Sequence, residues 1–153
     1  MDAMDRMDVM TRAATDARSG RDRRAFRAAP SSVRTIRAFV RDTLRHAQAP
    51  DTVVADLELV ASELAANAIE HGTGHELLVE VDGTQRRWWE LVVSSSLDAA
   101  RDGGRLRATR AWEIAAADAG SGRGLGIVRR LLDDVDVVRD RDLVVVRCRL
   151  RRR

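Results

Sequence analysis

The chain contains no lysine and no tyrosine, so all 27 of its basic residues are arginine. Without lysine, the chain can supply neither a Walker A lysine nor the strand lysine of a protein kinase, and it cannot form a Schiff base. Because neither lysine nor tyrosine titrates between neutral pH and the arginines, a formal charge of only +3 produces a pI of 10.6. The high pI alone therefore does not indicate nucleic-acid binding.

Cysteine and long apolar runs are also scarce. The single cysteine, Cys148, cannot form an intrachain disulfide, which is typical of a reducing compartment. No apolar run approaches the roughly 18 residues that a membrane span requires. The charged segment from Met1 to Arg24 lacks the apolar core of a signal peptide. We therefore expect a cytoplasmic protein with no membrane association.

The length of 153 residues favours a single domain with a sizeable core. Hydrophobic residues make up 44% and charged residues 33% of the chain, which is typical of a globular protein. Residues 1–22 mix Asp, Arg, Ala and Met without a sustained period, so we predict a flexible N-terminal tail there. Residues 23–153 are predicted to form the domain.

The segment 56–72 carries the strongest helical pattern in the chain. Its apolar positions recur at helical spacing and form one stripe, namely Leu57, Val60, Ala61, Leu64 and Ala68. Glu63, Asn67 and His71 follow one another four residues apart, so they step about 40° around the axis and share a flank of that stripe. A glycine follows His71, where it would end a helix. We predict a central helix over residues 52–71.

The chemistry of this flank has two interpretations. Glu63 offers a carboxylate that can act as a general base, and Asn67 offers an amide oxygen that can bind magnesium. Residues of these types are also common at the solvent-facing edge of an amphipathic helix. The spacing alone does not decide between a site and an ordinary helix edge.

A glycine-rich stretch at residues 122–126 precedes a second apolar helical pattern. Its sequence is Gly122-Arg123-Gly124-Leu125-Gly126. Glycines allow backbone N–H groups to approach a ligand closely, and the start of a helix presents free donors with partial positive charge. Arg123 adds a charge suited to phosphate oxygens. A plain helix entry is the alternative, and the spacing is not that of a Rossmann fingerprint.

The rest of the chain reads as alternating helices and strands. A strand is predicted at 24–28, and a helix capped by Ser31 or Ser32 extends to His46. Further strands are predicted at 76–82, 87–94, 135–138 and 143–150, and a helix at 124–133. Residues 95–121, with a short helix near 111–117 containing Trp112, form either a lid or a disordered segment.

Strand alternation also predicts which side chains are buried. Trp88 and Trp89 lie on opposite faces of their strand, so one packs in the core and the other is available to an interface or to ordinary surface packing. Cys148 alternates with arginines and is predicted to be a buried small hydrophobe. The arginines of this last strand form a solvated face, while the terminal Arg151, Arg152 and Arg153 are candidates for contact with an acidic partner.

Together, two motifs resemble the GHKL ATPase family, which includes gyrase, heat-shock chaperones, mismatch-repair proteins and histidine kinases. The motifs are Glu63-x-x-x-Asn67-x-x-x-His71-Gly72 and, about 50 residues later, Gly122-x-Gly124-Leu125-Gly126. Within that family the chain is most similar to the small anti-sigma factor serine kinases common in actinobacteria. The resemblance covers about residues 24–150.

The resemblance implies a fold and a set of site residues. The fold would be a two-layer α/β sandwich of the Bergerat ATP-binding type, in which helices cover one face of a mixed, mostly antiparallel sheet. Glu63 would be the general base, Asn67 would hold Mg²⁺, and His71 would line the ATP site. The second glycine box, Gly122, Arg123, Gly124, Leu125 and Gly126, would wrap the triphosphate.

One position departs from the family pattern. The family's first glycine box normally begins with an aspartate that accepts a hydrogen bond from the adenine amine, but strand parity places Ser95 at this position. A serine can accept the same bond without charge assistance, and Asp98 would substitute if the loop folded back. The loss of affinity is about 1 kcal/mol, or roughly fivefold to tenfold.

The resemblance implies an ATP-dependent serine kinase that phosphorylates an anti-anti-sigma protein of the STAS type and sequesters a sigma factor. A homodimer is usual for such proteins, and no direct nucleic-acid contact is expected. The alternative is a non-catalytic regulator that keeps the fold and binds a partner with weak or no nucleotide turnover. The altered first glycine box favours this alternative.

Overall fold

The computed structural model describes residues 20–71, 74–96, 123–140 and 143–153. The strands are β1 (Arg21–Arg27), β2 (Glu76–Asp82), β3 (Trp88–Ser96), β4 (Asp134–Asp140) and β5 (Leu143–Arg151). The helices are α1 (Ser32–His46), α2 (Asp51–His71) and α3 (Arg123–Leu131). The predicted lid, its short helix with Trp112 and the first 19 residues lie outside the described residues.

The five strands form one sheet in the order β1-β2-β3-β5-β4. Each of the four described pairings is antiparallel. Helices α1 and α2 pack on each other and on the sheet, and α3 packs against α2. The structure is therefore the predicted two-layer α/β sandwich, in which the described helices all lie on one face of the sheet; below, the covered and uncovered faces are those of the described residues.

The core lies between the helices and this covered face. On the sheet side, buried residues alternate along the strands, namely Phe26, Leu77, Val79, Val81, Trp89, Leu91, Val93, Cys148 and Leu150. On the helix side, the predicted stripe of α2 is buried except for Ala68, which is partly buried, and it packs together with Ile36, Val40 and Leu44 of α1. Trp89 is thus the core tryptophan, while Trp88 is half-buried on the other face.

Several boundaries differ from the sequence prediction. β1 begins at Arg21, three residues before the predicted start, so it includes two residues predicted to belong to the tail. β3 continues to Ser96, so Ser95 lies within the strand and not in the segment after it. Ser31 is the N-cap residue of α1, but its side chain makes no capping hydrogen bond, so the predicted serine cap is wrong in this respect.

The uncovered face of the sheet carries charges that are matched across neighbouring strands. The registers place two rows side by side on this face, Arg21–Asp82–Glu90–Arg149–Asp134 and Arg23–Glu80–Val92–Arg147–Asp136. Arg149 links two strands, because its Nε donates to Glu90 at 2.8 Å and its Nη1 to Asp134 at 2.9 Å. Such pairs contribute at most about 1 kcal/mol each. The rows therefore make this face a largely neutralised, hydrated surface.

Cys148 is completely buried in β5, as the alternation predicted. Its burial, with a smaller contribution from the charge of Asp134, raises the pKa of the thiol to about 12. Because the unfolded thiol has a pKa of about 8.5, the folded state binds the proton more tightly. The stability that this provides is present below the unfolded pKa and is lost as the pH rises above it.

We predict that Cys148 is unreactive in the folded chain. At pH 8, iodoacetamide should alkylate it at least about a hundredfold more slowly in buffer than in urea, because only the thiolate reacts. Mass spectrometry of timed samples measures both rates. Similar rates in the two conditions would contradict the buried placement.

Candidate functional site

Helix α2 presents Glu63 and Asn67 on one flank beside its buried stripe. The helix extends without interruption from Asp51 to His71, so the four-residue spacing of the motif translates into neighbouring positions on this flank. Both side chains are half-buried. Among the described residues, neither side chain makes a hydrogen bond or an ion pair. A carboxylate and an amide oxygen are therefore available to a ligand at this place.

The other flank of α2 is bound to α1. Arg41 donates to Glu58 Oε1 from Nε at 3.2 Å and from Nη2 at 2.7 Å, and Arg37 Nε lies 3.8 Å from the same oxygen. The hydrogen bond to Glu58, followed by its charge, raises the pKa of Arg41. Residues five apart on a helix are separated by roughly 140° around the axis. The contact with Glu58 therefore holds α2 against α1 on one flank, while Glu63 lies on the opposite flank, which α1 does not reach.

Sequence reasoning missed this arginine–carboxylate contact. The only available signal was two arginines four apart on α1, and such pairs are common on exposed helix faces. Glu58 becomes their partner because the topology packs α1 against α2, which no local pattern reveals.

Ser95 lies near the end of β3 on the face of the sheet that the helices cover. Its register partners are Leu77 on β2 and Val144 on β5, which are both buried, and Ser95 itself is half-buried. Strand β3 also contacts α2. The structure thus confirms the strand parity that was used to place Ser95. Asp98, the proposed substitute, lies outside the described residues.

The second glycine box coincides with the beginning of α3. The helix begins at Arg123, so Arg123, Gly124, Leu125 and Gly126 form its first turn, and Gly122 lies outside the described residues. The first four N–H groups of a helix lack intrahelical acceptors and carry partial positive charge. Val128 anchors α3 in the core with no exposed surface. The glycine-rich turn therefore offers backbone donors of the kind that bind phosphate groups.

Helix α2 contacts both β3 and α3, the two elements that carry the other described candidate residues. The half-buried Glu63 and Asn67, the half-buried Ser95 and the first turn of α3 all belong to the helix-covered side. His71 closes α2 as predicted, and its side chain lies outside the described part of the chain. The backbone donors of α3 and the side-chain oxygens of Glu63, Asn67 and Ser95 fit a nucleoside triphosphate with Mg²⁺ better than an apolar ligand.

The fold defines a class, the two-layer α/β sandwiches in which helices pack on one face of an antiparallel sheet. A family model described as the histidine kinase-like ATPase domain matches residues 26–150. The chain belongs to this family. Membership implies nucleotide binding and a kinase-like ATPase domain.

The fold also matches a solved structure. A chain of the SiaB–SiaC complex from Pseudomonas aeruginosa has a TM-score of 0.57 and 18% sequence identity, and the alignment covers 98% of this chain and 99% of that chain. At this identity the likeness shows the fold alone. Among curated proteins, none matches the chain. No helix among the described residues is long and apolar enough to cross a membrane.

Gly74 allows the start of β2 to pass close to the end of β3 near this site. A Cβ at this position would lie 2.8 Å from the Cβ and 3.0 Å from the Oγ of Ser96. The sequence pattern does not indicate this contact, because a glycine in a turn is usually explained by the turn.

We predict that Gly74→Ala destabilises the domain by about 1–3 kcal/mol, because the new methyl group displaces Ser96. In a Ser96→Gly background the same substitution should cost at least about 0.5 kcal/mol less. Urea denaturation of the four proteins of this double-mutant cycle measures the coupling. Equal costs in both backgrounds would contradict the close approach.

Proposed function

We propose that the protein is an ATP- and Mg²⁺-dependent serine kinase that regulates a sigma factor by partner switching. The observation that carries this proposal is the flank of α2, where the carboxylate of Glu63 and the amide of Asn67 are half-buried and have no partner among the described residues. Family membership supports binding of a nucleotide. The amide of Asn67 supports binding of Mg²⁺, and the carboxylate of Glu63 supports proton transfer.

The residues have separate tasks in this proposal. Asn67 would hold Mg²⁺ through its amide oxygen, and the metal would supply positive charge beside the phosphate groups. The first-turn N–H groups of α3, with Arg123, hold oxygens of the triphosphate. Positioning and charge stabilisation account for most of the catalysis in phosphoryl transfer.

Glu63 acts on the incoming nucleophile. Its carboxylate accepts the proton of a serine hydroxyl while the serine oxygen forms a bond to the γ-phosphorus. The bond between that phosphorus and the bridging oxygen breaks, and ADP leaves with its electron pair. Phosphoserine and ADP are the products, and Glu63 returns its proton to water.

The partners follow from the same proposal. The phosphorylated serine belongs to an anti-anti-sigma protein of the STAS type, and the unswitched state holds a sigma factor inactive, with the kinase acting as a homodimer. The fold neighbour supports a protein partner, since it was solved as a complex of two proteins.

A second candidate is a regulator that binds a partner with weak or no turnover. The position of Ser95 favours it, because this residue lies on the helix-covered face at the end of β3, where the family has an aspartate. A neutral hydroxyl accepts a weaker hydrogen bond from the adenine amine than a carboxylate does.

Calorimetric titration with ATP and GTP, each with and without Mg²⁺, measures nucleotide affinity and its dependence on the metal. Absence of binding up to millimolar ATP would exclude the kinase.

The substitution Glu63→Gln separates the two candidates. If the protein is a kinase, this variant should transfer phosphate at least about a hundredfold more slowly, since general-base catalysis contributes roughly that factor, while ATP affinity changes less than about threefold. The matched control is Glu76→Gln, at an exposed position of β2 on the uncovered face. Transfer is measured with radiolabelled ATP and the candidate anti-anti-sigma protein. Unchanged transfer in Glu63→Gln would refute the assigned role.

The substitution Ser95→Asp should restore the missing charge and tighten ATP binding by about fivefold to tenfold. GTP affinity should not rise, because guanine presents a carbonyl where adenine presents an amine. Ser94→Asp is the control, since Ser94 is the adjacent residue on the uncovered face, between Leu78 and Val145. Calorimetry on the three proteins measures the effect. A gain of similar size in Ser94→Asp would show that charge alone is responsible.

A further inference from the structure

Four exposed arginines gather at the end of the sandwich that is remote from Glu63 and Asn67. We name this group, Arg86, Arg87, Arg151 and Arg153, the arginine pole. The backbone brings its two halves together, because Arg152 N donates to Arg87 O at 2.9 Å and Arg151 pairs with Trp88 across β3 and β5. The pole therefore combines residues from the β2–β3 turn and from the end of β5.

The carboxylates nearest to the pole already have other donors. Asp82 accepts from Thr84 N at 2.9 Å and from Thr84 Oγ1 at 2.6 Å, and Asp133 accepts from the backbone N of Arg151 at 2.7 Å. Burial opposes ionisation of Asp82, but the hydrogen bonds from Thr84 and Gln85 and the charge of Arg21 together outweigh it and lower its pKa. Among the described residues, no carboxylate forms an ion pair with a side chain of the pole.

The pole is a local excess of positive charge, because its four arginines have no carboxylate ion pair among the described residues. The adjacent uncovered face, by contrast, is close to balance in its rows of paired charges. Unpaired guanidinium groups on a balanced surface attract an anionic partner and are suited to carboxylates.

The pole is held in a defined shape. Arg152 turns inward, where its guanidinium lies 3.6 Å from the ring centroid of Trp89 and donates to Gly83 O. A Cβ on Gly83 would come within 2.4 Å of the Cβ of Ala47, so the β2–β3 turn packs tightly on the end of α1. Arg151 and Arg153 flank this inward anchor. The backbone that carries the pole is thus fixed before binding, so only the arginine side chains must be ordered when a partner binds.

We propose that the arginine pole is a docking surface for an acidic segment of a protein partner, with several aspartates or glutamates close together. The half-buried Trp88 beside Arg151 supports a protein, because tryptophan and arginine dominate the energetics of protein interfaces. A nucleic-acid strand would carry its phosphates beyond the pole, onto Asp82, Glu90 and Asp134 of the neighbouring row. A short acidic segment bound to the pole does not extend to these carboxylates, so it avoids their repulsion.

This surface is independent of the proposed nucleotide site. The β2–β3 turn packs near the start of α2, whereas Asn67 lies 16 residues further along the helix, or about 24 Å at 1.5 Å per residue. Binding at the pole should therefore neither require nor exclude ATP. A failure of nucleotide binding would leave this inference intact.

The experiment measures binding of a fluorescein-labelled hexaglutamate peptide to the full chain by anisotropy at physiological salt. We expect Arg86→Gln/Arg151→Gln to weaken binding by at least about tenfold, because two charge-assisted contacts are lost. The matched control is Arg27→Gln/Arg34→Gln, which removes two exposed arginines at the end of β1 and the start of α1, away from the β2–β3 turn; neither has an ion pair among the described residues. It should change affinity less than about threefold. Arg87→Gln/Arg153→Gln provides a second pole variant if the first does not fold.

A second readout locates the peptide. In a Trp112→Phe background the remaining tryptophans are Trp88 and Trp89, so their emission should change on peptide binding and not in the pole variant. No binding of hexaglutamate, or an equal loss in the control, overturns the proposal. Labelled hexathymidylate that binds more than about tenfold tighter than the peptide, and is lost in the pole variant, would instead assign the surface to nucleic acid. Loss of peptide binding on adding ATP and Mg²⁺ would contradict the independence of the two ends.

Discussion

The burial of one stripe of α2 against the sheet is the constraint on which the rest of the molecule depends. Leu57, Val60, Ala61 and Ala65 have no exposed surface, and Leu64 has almost none. Each large side chain buried in this way contributes about 1.5–3 kcal/mol. A rotation of the helix by even 40° would bring part of this stripe into water, so the stripe fixes the rotation of α2. It thereby fixes which residues stand on the two flanks.

The two flanks then acquire opposite characters. Glu58 is held by Arg41 and Arg37 of α1, which satisfies its charge and ties the helices together. Glu63, on the far side of the stripe, is left without such a partner among the described residues. The asymmetry arises because α1 covers only one flank, so the topology itself creates an available carboxylate.

Most of the fold was predictable because its elements have strong periods. The 21-residue helix α2 was placed within one residue, and β2 at its observed bounds, because buried and exposed positions follow a 3.6- or two-residue repeat. The predicted ends of β1 and β3 were less accurate, since Arg21, Asp22 and Ser95 have low strand propensity and are held by pairing with β2.

For the candidate site, helical spacing and strand alternation predicted on which faces of their elements Glu63, Asn67 and Ser95 lie. The Arg41–Glu58 contact, the close approach at Gly74 and the arginine pole required the topology, because each joins residues distant in sequence.

The departure at Ser95 is therefore best regarded as local. Its neighbours across the sheet, Leu77 and Val144, are buried, so the end of β3 is held by the same hydrophobic contacts whichever polar residue stands between them. The groups proposed to hold phosphate and metal belong to other elements, α2 and α3. A hydroxyl in place of a carboxylate at Ser95 changes only the hydrogen-bond acceptor that the proposed site offers to the nucleotide base. In the proposed site, contacts to the triphosphate and contacts to the base therefore come from different elements, so we expect a change at Ser95 to alter the contact with the base and to leave the groups that hold phosphate in place.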